Sequence, residues 1–390
     1  MKQLELSSRI NAMSWCDEIE ESAMTQIEDL SRHPCLFKHI AVMPDCHCGY
    51  GMPIGGVIAC KDAVIPNAVG VDIGCGMSYA ETDFPANMIT PDKIKEILGY
   101  VRALVPVGFK HHEEAQEWAG FDNAPEIEII QSNVESARRQ LGTLGGGNHF
   151  IELQAVDKGE IAVMVHSGSR NFGYRVAKEY NEKAIALCDK WHSDVPNKDL
   201  AFLPVDSKEG QEYIEAMNYA LRFAYQNRML MMDRTKSCIR SLLECEFVDE
   251  LDINVHHNFA ALENHYGKNV WVHRKGAVKA NKGLMGVIPG SMGTSSYIVK
   301  GLGNRESFCS SSHGAGRVMS RSGASKTLTV DECDKAMDGI VFGRWGKARN
   351  GKPDLGEAPQ AYKDIDAVME SQSDLVEIVS KLRPLGVVKG

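Results

Sequence analysis

Five segments of the chain set polar, metal-capable side chains among glycines or at the ends of apolar runs. "VDIGCGM" carries Asp72 and Cys75; "GGGNHFIEL" carries Asn148, His149 and Glu152; "VMVHSGSR" carries His166. "INVHHNFA" carries His256, His257 and Asn258, and "CSSSHGAGR" carries His313 and Arg317. Each has an ordinary reading when taken singly. A histidine at a strand end is more often a hydrogen-bonding structural group than a ligand, a glycine cluster usually marks a turn, and a buried cysteine usually just packs. Taken together they constrain the fold: glycine lets the backbone approach a ligand closely, and the segments lie far apart in the chain. A fold that uses them must carry distant strand ends to one place.

The elements that could do so are legible in part. Short apolar runs read as strands: "HIAVMP", "GGVIAC", "IAVMVH", "VWVHR" and "SYIV". Thr90 caps a helix with Pro91 in its first turn, and Ile94, Ile97, Leu98, Val101 and Val105 share one face. "PEIEIIQSNVESARRQLG" places Ile127, Ile130, Val134, Ala137 and Leu141 on one helical stripe, stopped by Gly142. A long helix is expected from about Glu209 to Glu244, with Ile214, Met217, Leu221, Ala224 and Tyr225 along it. "DIDAVMESQSDLVEIVSKL" reads as a further helix, ended by Pro384. Strands and helices interleave without a βαβ rhythm, so the expected class is α+β (mixed α/β), with sheets flanked by helices around a central site. No linker, repeat or composition shift divides the chain, and residues 1–390 are expected to form one domain.

Asp, Cys and several His together offer oxygen, sulfur and nitrogen donors. That mixture suits Zn, Mn, Fe or Co and suits Mg or Ca poorly. A thiolate can bridge two metals, and two metals can clamp a phosphate and activate an attacking oxygen. Asp72 and Cys75 would then be close in sequence so that both reach one metal from one tight turn. His313, with Arg317 four residues on, could hold or attack a phosphate, or hydrogen-bond within a glycine-rich turn; chemistry alone weighs these evenly. "IPGSMGT", with Ser291, could form an anion nest, although a turn entering a strand is commoner. "CHC" at Cys46–Cys48 lacks a second ligand pair at finger spacing. Lys389 is singled out by nothing in its local chemistry.

Bulk properties exclude several classes. The net charge is -9, which argues against a non-specific nucleic-acid coat but not against an enzyme with a local basic groove. The 11 cysteines are odd in number and irregularly spaced, unlike a disulfide framework. There is neither a signal-peptide pattern nor an apolar stretch near the roughly eighteen residues of a membrane span, so a cytoplasmic protein is expected. No P-loop and no dinucleotide-binding fingerprint occurs in its structural context.

"MPDCHCGYGMPIGG", "GVDIGCGM", "GGGNHFIEL", "HSGSR", "VHHNFA", "HRKGA", "IPGSMGT", "SHGAGR", "YKDID" and the final "VVKG" follow the order of motifs in RtcB-type RNA ligases. The chain resembles that family from about residue 40 to its end. The resemblance implies joining of RNA ends that bear a 3′-phosphate or 2′,3′-cyclic phosphate to ends that bear a 5′-hydroxyl, with GTP and two Mn²⁺ ions. It implies that Asp72, Cys75 and His149 hold one metal and that Cys75, His166 and His257 hold the second. His257 is chosen over His256 because the family's ligand directly precedes the asparagine, which leaves His256 a structural role. His313 is implied as the nucleophile that becomes guanylylated. Asn148, Glu152, Ser291, Arg317, Tyr362 and Lys389 are implied to bind the guanylate, with Glu152 reading the guanine N1 and N2 hydrogens. Asp45 and His47 belong to a family motif and are given only a supporting place. The partner implied is RNA, in repair or tRNA splicing, with room for an accessory activator protein; a monomer is the default expectation. The chain is at the short end of the family, which would trim an RNA-contacting or inserted region. Two other readings compete: a metal-dependent phosphoesterase that needs neither His313, Glu152 nor Lys389, and a non-catalytic RNA-binding relative that has lost site residues.

Overall fold

Strand pairing organises the computed structural model, which describes residues 1–8, 10–248, 251–347 and 351–390. Six strands form one sheet in the order Lys2–Leu4, Asn11–Ser14, Leu36–His47, Ile54–Cys60, Lys268–Lys275, Asn258–His265. A second, eight-stranded sheet runs Ile253–His256, Gly76–Pro85, Glu160–Ser167, Phe150–Val156, Val376–Lys389, Ser296–Gly301, Met285–Ile288, with Val341–Phe342 alongside Val376–Lys389. Nearly all neighbours are antiparallel; Asn11–Ser14 with His39–Val42 and Val341–Phe342 with Gly386–Val387 are parallel. The expected α+β class is the observed one, and all five apolar runs read as strands are strands.

The middle of the larger sheet is covered on both faces. Phe150–Val156 is buried throughout and Glu160–Ser167 nearly so, which explains why both read as unbroken apolar runs rather than alternating ones. Ile151, Leu153, Val163 and Val165 face helices Pro91–Leu104 and Lys208–Leu243, where they meet Ile94, Leu98, Met231 and Ile239. Each such buried aliphatic side chain contributes roughly 1.5–3 kcal/mol. Phe150, Met77, Met164, Met292 and Val387 fill the other face. Alternation therefore puts Glu152 on the face of Phe150, turned away from the helices.

The helix signals behave as their chemistry requires. The Thr90 side chain accepts the Lys93 N–H at the start of Pro91–Leu104. Ser207 accepts from Gly210 at the start of Lys208–Leu243, which ends at Glu244 in a left-handed conformation, φ 53°. Tyr225 lies on that helix as expected and is 44% exposed; Phe223 and Ala224 supply the buried face there. The single helix expected over Ile127–Leu141 is two short ones, Glu128–Gln131 and Val134–Gln140, broken where the Asn133 amide turns back to the Ile129 carbonyl at 2.8 Å. Its apolar stripe is still buried.

The C-terminal expectation is corrected. The helix stops at Ser371, and Val376–Lys389 is a strand that continues through Pro384. β-branched Val376, Ile378 and Val379 favour an extended chain, and the register shifts between Pro384 and Gly386, an irregularity that tolerates a residue without an N–H.

One crossing positions the site. Ile253–His256 belongs to the larger sheet and Asn258–His265 to the smaller. His257 is the residue between them, at the seam of the two sheets.

Candidate active site

Four strands adjacent in the larger sheet deliver four side chains at one end. His257 follows Ile253–His256, Cys75 precedes Gly76–Pro85, His166 lies near the end of Glu160–Ser167, and His149 precedes Phe150–Val156. Cross-strand register fixes their levels: His256 faces Gly76, Met77 faces His166, and His166 faces Phe150. The turn before Cys75 is closed by the Cys75 N–H donating to the Asp72 carbonyl at 3.1 Å. Gly74 in that turn has φ +73°, and a Cβ there would stand 2.8 Å from that of Ala224. Gly168 has no room for a side chain because the Asp72 carboxylate fills it.

The resulting geometry gathers electron pairs. The Cys75 sulfur lies 3.4 Å from His149 Nε2 and 3.3 Å from His166 Nε2. His166 Nε2 lies 3.4 Å from His257 Nε2, and His149 Nε2 lies 3.1 Å from Asp72 Oδ2. His149 Nδ1 donates to the Leu144 carbonyl at 2.9 Å and His166 Nδ1 to the Asn148 carbonyl at 3.0 Å. Those carbonyls fix the tautomers, so both Nε2 atoms turn lone pairs on the sulfur. Burial pushes His166 and His257 well below the ordinary imidazole range, keeping them neutral, and pushes the Cys75 thiol well up, with Asp72 adding to it. Lone pairs facing one another across such distances are stabilised by a shared cation, and Cys75, His149 and His166 converge closely enough to hold one. The donor set therefore fits a transition metal, with Asp72 and His257 on its two sides.

The support beneath is polar and fully bonded. Buried Arg228 donates to the carbonyls of Gly74 and Ser167 at 2.8 and 2.9 Å and stands 3.0 Å from His256 Nδ1. His256 is thereby occupied behind the cluster. The Asn258 amide donates to the Asp72 carbonyl at 3.1 Å. Of the "CHC" segment, Cys46 is buried and Cys48 exposed.

His313 follows the short strand Ser310–Ser312 and reaches the same seam, its ring 4.6 Å from that of His257. Its backbone N–H and Nδ1 both meet Asp45 Oδ2, at 3.1 and 2.6 Å. Asp45 is wholly buried, and its other oxygen has no hydrogen-bond partner among the described residues. With Nδ1 engaged, Nε2 is the free nitrogen of the His313 ring. His47 Nδ1 bonds the Asp45 carbonyl at 2.9 Å.

A second group forms beside it around Glu357. Lys389 Nζ lies 3.1 Å from its carboxylate, Arg317 3.3 Å and Arg321 2.6 Å, and the Tyr362 hydroxyl donates to it. Burial alone would raise this carboxyl; Lys389 and Arg321 overcome it and hold it at about 2. Glu152 lies behind, buried, bonded by the Gln154 amide at 2.5 Å and pushed up to about 8 by burial. Lys389 is lowered by burial. A cavity of about 250 Å³ opens here, lined by Gly147, Met292, Arg321, Trp345, Glu357 and Lys389. Ser291 sits in a self-closed turn: its N–H donates to the Thr294 hydroxyl at 2.7 Å. A larger cavity, about 670 Å³, opens at the other end of the sheet beside Asp83, Asp157 and Arg383, away from every His and Cys described above.

The structure thus brings Asp72, Cys75, His149, His166, His257 and His313 into one cluster, and Arg317, Tyr362 and Lys389 into a second. Sequence reasoning gave Asp45 only a supporting place and passed over Glu357 and Arg321. Asp45 lies in "MPDCHCG", beside a cysteine and a histidine, which is the kind of setting that drew attention to Asp72; Glu357, in "DLGEAP", has a glycine before it but no cysteine or histidine nearby.

A mixed-sheet protein with a buried thiol–imidazole cluster at its sheet seam is the class defined so far. The family model described as "tRNA-splicing ligase RtcB" matches residues 26–390. "RNA-splicing ligase RtcB" of Escherichia coli K12 is 38% identical over 394 aligned residues, covering 95% of each chain. The "tRNA-splicing ligase RtcB" proteins of Thermococcus kodakarensis and Methanococcus maripaludis are each 32% identical, covering 95% and 96% of this chain and 92% of their own. The chain belongs to the RtcB family. Alignments to the two archaeal relatives run over 444 and 449 positions against 390 residues here, so those relatives carry segments this chain lacks. Against the E. coli relative no comparable trimming exists. No helix among the described residues is long and apolar enough to cross a membrane.

Proposed function

We propose that the chain is a GTP- and manganese-dependent RNA ligase. It joins RNA 3′-phosphate or 2′,3′-cyclic phosphate ends to 5′-hydroxyl ends through a guanylylated His313. The observation that carries this reading is the Asp45–His313 pair set against His257 of the metal cluster: a histidine with one nitrogen held by a buried carboxylate and the other free. Names of relatives that read RNA-splicing and tRNA-splicing ligase support the substrate class.

Asp72, Cys75 and His149 would hold one metal, and Cys75, His166 and His257 the other. Bound there, two Mn²⁺ ions supply positive charge to phosphate oxygens. Asp45 keeps the His313 proton on Nδ1, so the Nε2 lone pair attacks the α-phosphorus of GTP. The bond to the pyrophosphate oxygen breaks and pyrophosphate leaves with its electrons. The positive charge that develops on the imidazole is offset by the Asp45 carboxylate. An oxygen of the RNA 3′-phosphate then attacks the histidine-bound phosphorus, the P–N bond breaks, and an RNA-3′-pp-G end results. The 5′-hydroxyl, losing its proton, attacks the RNA phosphorus and expels GMP. A cyclic phosphate must first be opened by water.

Asn148, Ser291, Arg317, Tyr362 and Lys389 would bind the guanylate, and Glu152 would accept from guanine N1–H and N2–H. That contact needs the ionised carboxylate, so binding guanine would expel the proton that burial now favours on Glu152. We take residues 1–390 as one catalytic domain of a cytoplasmic monomer acting in RNA repair or tRNA splicing, with or without an activator protein. The seam at His257, to which both sheets contribute, supports the single domain.

The test is incubation with α-labelled GTP and Mn²⁺ followed by denaturing separation. Acid-labile, alkali-stable label is expected on the wild type and not on His313→Ala, with manganese content unchanged in the variant. A wild type that takes up no label would instead favour the phosphoesterase, read as cyclic-phosphate opening without GTP.

A further inference from the structure

The loop from Pro106 to Gln116 is fastened to the catalytic scaffold along its length. The Gly108 N–H donates to the Gly145 carbonyl at 2.8 Å, and the Leu144 N–H to the Pro106 carbonyl at 2.9 Å. Arg170 Nη2 donates to the Gly108 carbonyl at 2.9 Å. Farther along, the backbones of His112 and Gln116 donate to Arg139 and Arg138, both at 3.0 Å. Arg234 stands 2.9 Å from the His112 ring and donates to the Gln116 side chain at 2.5 Å. The run it is tied to, Leu144–Gly147, is the one whose Leu144 carbonyl orients His149.

At the tip of this fastened loop, after Gly108 at φ +66°, Phe109 is fully exposed, at 101% of its reference area. A single apolar residue on a surface ordinarily calls for no explanation. Here the ring is held out by an anchored backbone, so ordering it on a ligand costs little further entropy. Its neighbours are cationic or proton-donating: Lys110 and His111 are exposed beside it, and the Arg170 charge is felt both at His111 and at Asp72. Glu113 and Glu114 come only after the His112 anchor. An exposed ring beside Lys110, on a loop tied to the run that orients His149, offers what single-stranded nucleic acid needs: a face for a base and charge for its phosphates.

We propose that Phe109 is a base-stacking residue for the RNA strand at the ligation centre, with Lys110 and His111 beside it for the phosphate backbone. This rests on the RNA-ligase reading and extends it to a residue outside the metal and guanylate clusters. The test uses the full chain loaded with Mn²⁺ and without GTP. Two fluorescein-labelled single-stranded oligoribonucleotides are titrated and read by anisotropy, one ending in a 3′-phosphate and one beginning with a 5′-hydroxyl, each dye on the far end. F109A is expected to weaken binding of at least one oligonucleotide by about 5- to 100-fold, with an unchanged thermal midpoint; the oligonucleotide affected identifies the strand. F109W should retain binding and shift its emission on saturation with RNA. Equal affinity of F109A and wild type for both oligonucleotides, or an F109W emission that RNA leaves unmoved, overturns the inference alone. A wild type that binds neither oligonucleotide overturns the RNA-ligase reading along with it.

Discussion

The Cys75–His149–His166–His257 cluster and the Arg317–Arg321–Tyr362–Lys389 cluster adjoin where Lys389 pairs with Phe150, yet they meet the cost of buried polarity in opposite ways. In the first, backbone carbonyls take up the ring protons of His149 and His166, and lone pairs are left converging on a sulfur. Arg228 and Arg170 lend charge from behind, but no proton donor among the described residues stands between the converging lone pairs, a gap that a cation would fill. In the second, three cations and a hydroxyl converge on Glu357, whose one carboxylate pairs with each of them and offsets part of their charge from within. One region leaves its lone pairs without a partner; in the other every charged group is paired, with positive charge in excess. On the proposed reading a metal would add to the first, whereas an anionic nucleotide entering the second would compete with a resident carboxylate.

The largest effect tests the first region. Cys75→Ala removes the atom common to both proposed metal sites, and ligation should fall by at least about 10³-fold with bound manganese falling in parallel. Full manganese content in an inactive Cys75→Ala protein would show that the sulfur is not a ligand. Asp45→Asn tests the link between the regions. It keeps the shape and an acceptor oxygen but removes the negative charge that offsets the imidazolium forming on His313, and the rate of histidine labelling should fall about 10²- to 10⁴-fold with metal binding retained. A rate near that of the wild type would remove Asp45 from the chemistry.

The smallest effect concerns Glu152, at the edge of the second region. Its carboxyl is raised by burial from 4.5 to about 8. Below the lower value it is protonated both folded and unfolded. Between the two the unfolded chain sheds the proton and the folded protein keeps it, so stability falls as pH rises through that window; above it both states are ionised and the penalty is constant. Glu152→Gln lacks this titration. Its stability relative to wild type, from denaturant melts, should grow by about 2–4 kcal/mol between pH 5 and 8. A pH-independent difference would mean that Glu152 is ionised in the free protein.

The same contrast explains what the sequence disclosed. Each member of the lone-pair cluster stands at a strand end or between glycines, because a tight turn or sheet edge is what lets it reach the centre; Cys75 and His149 are legible for that reason. Glu357 sits in an irregular segment, and its importance comes from four partners at 317, 321, 362 and 389 that only the fold assembles. Caps and apolar stripes gave the helix at Pro91 and the long helix at Lys208 nearly to the residue. The segment after Ser371 was misread because a proline usually ends a helix, and only the register irregularity beside Pro384 shows how a strand carries it. His256 and His257 are chemically alike in sequence; Arg228 and Gly74 occupy the first and leave the second facing the cluster.

The place of Val376–Lys389 in the middle of the larger sheet bears on how the protein is made. It pairs on one side with Phe150–Val156 and on the other with Ser296–Gly301, so a nascent chain that has not yet delivered these residues holds two open strand edges apart. Such edges invite pairing with other chains, and pairings this distant in sequence form slowly. Translation must pass residue 389 before Lys389 can meet Glu357, so a ribosome-bound intermediate can already hold the strands that carry Cys75, His149 and His166 and still be unable to assemble the Glu357 cluster.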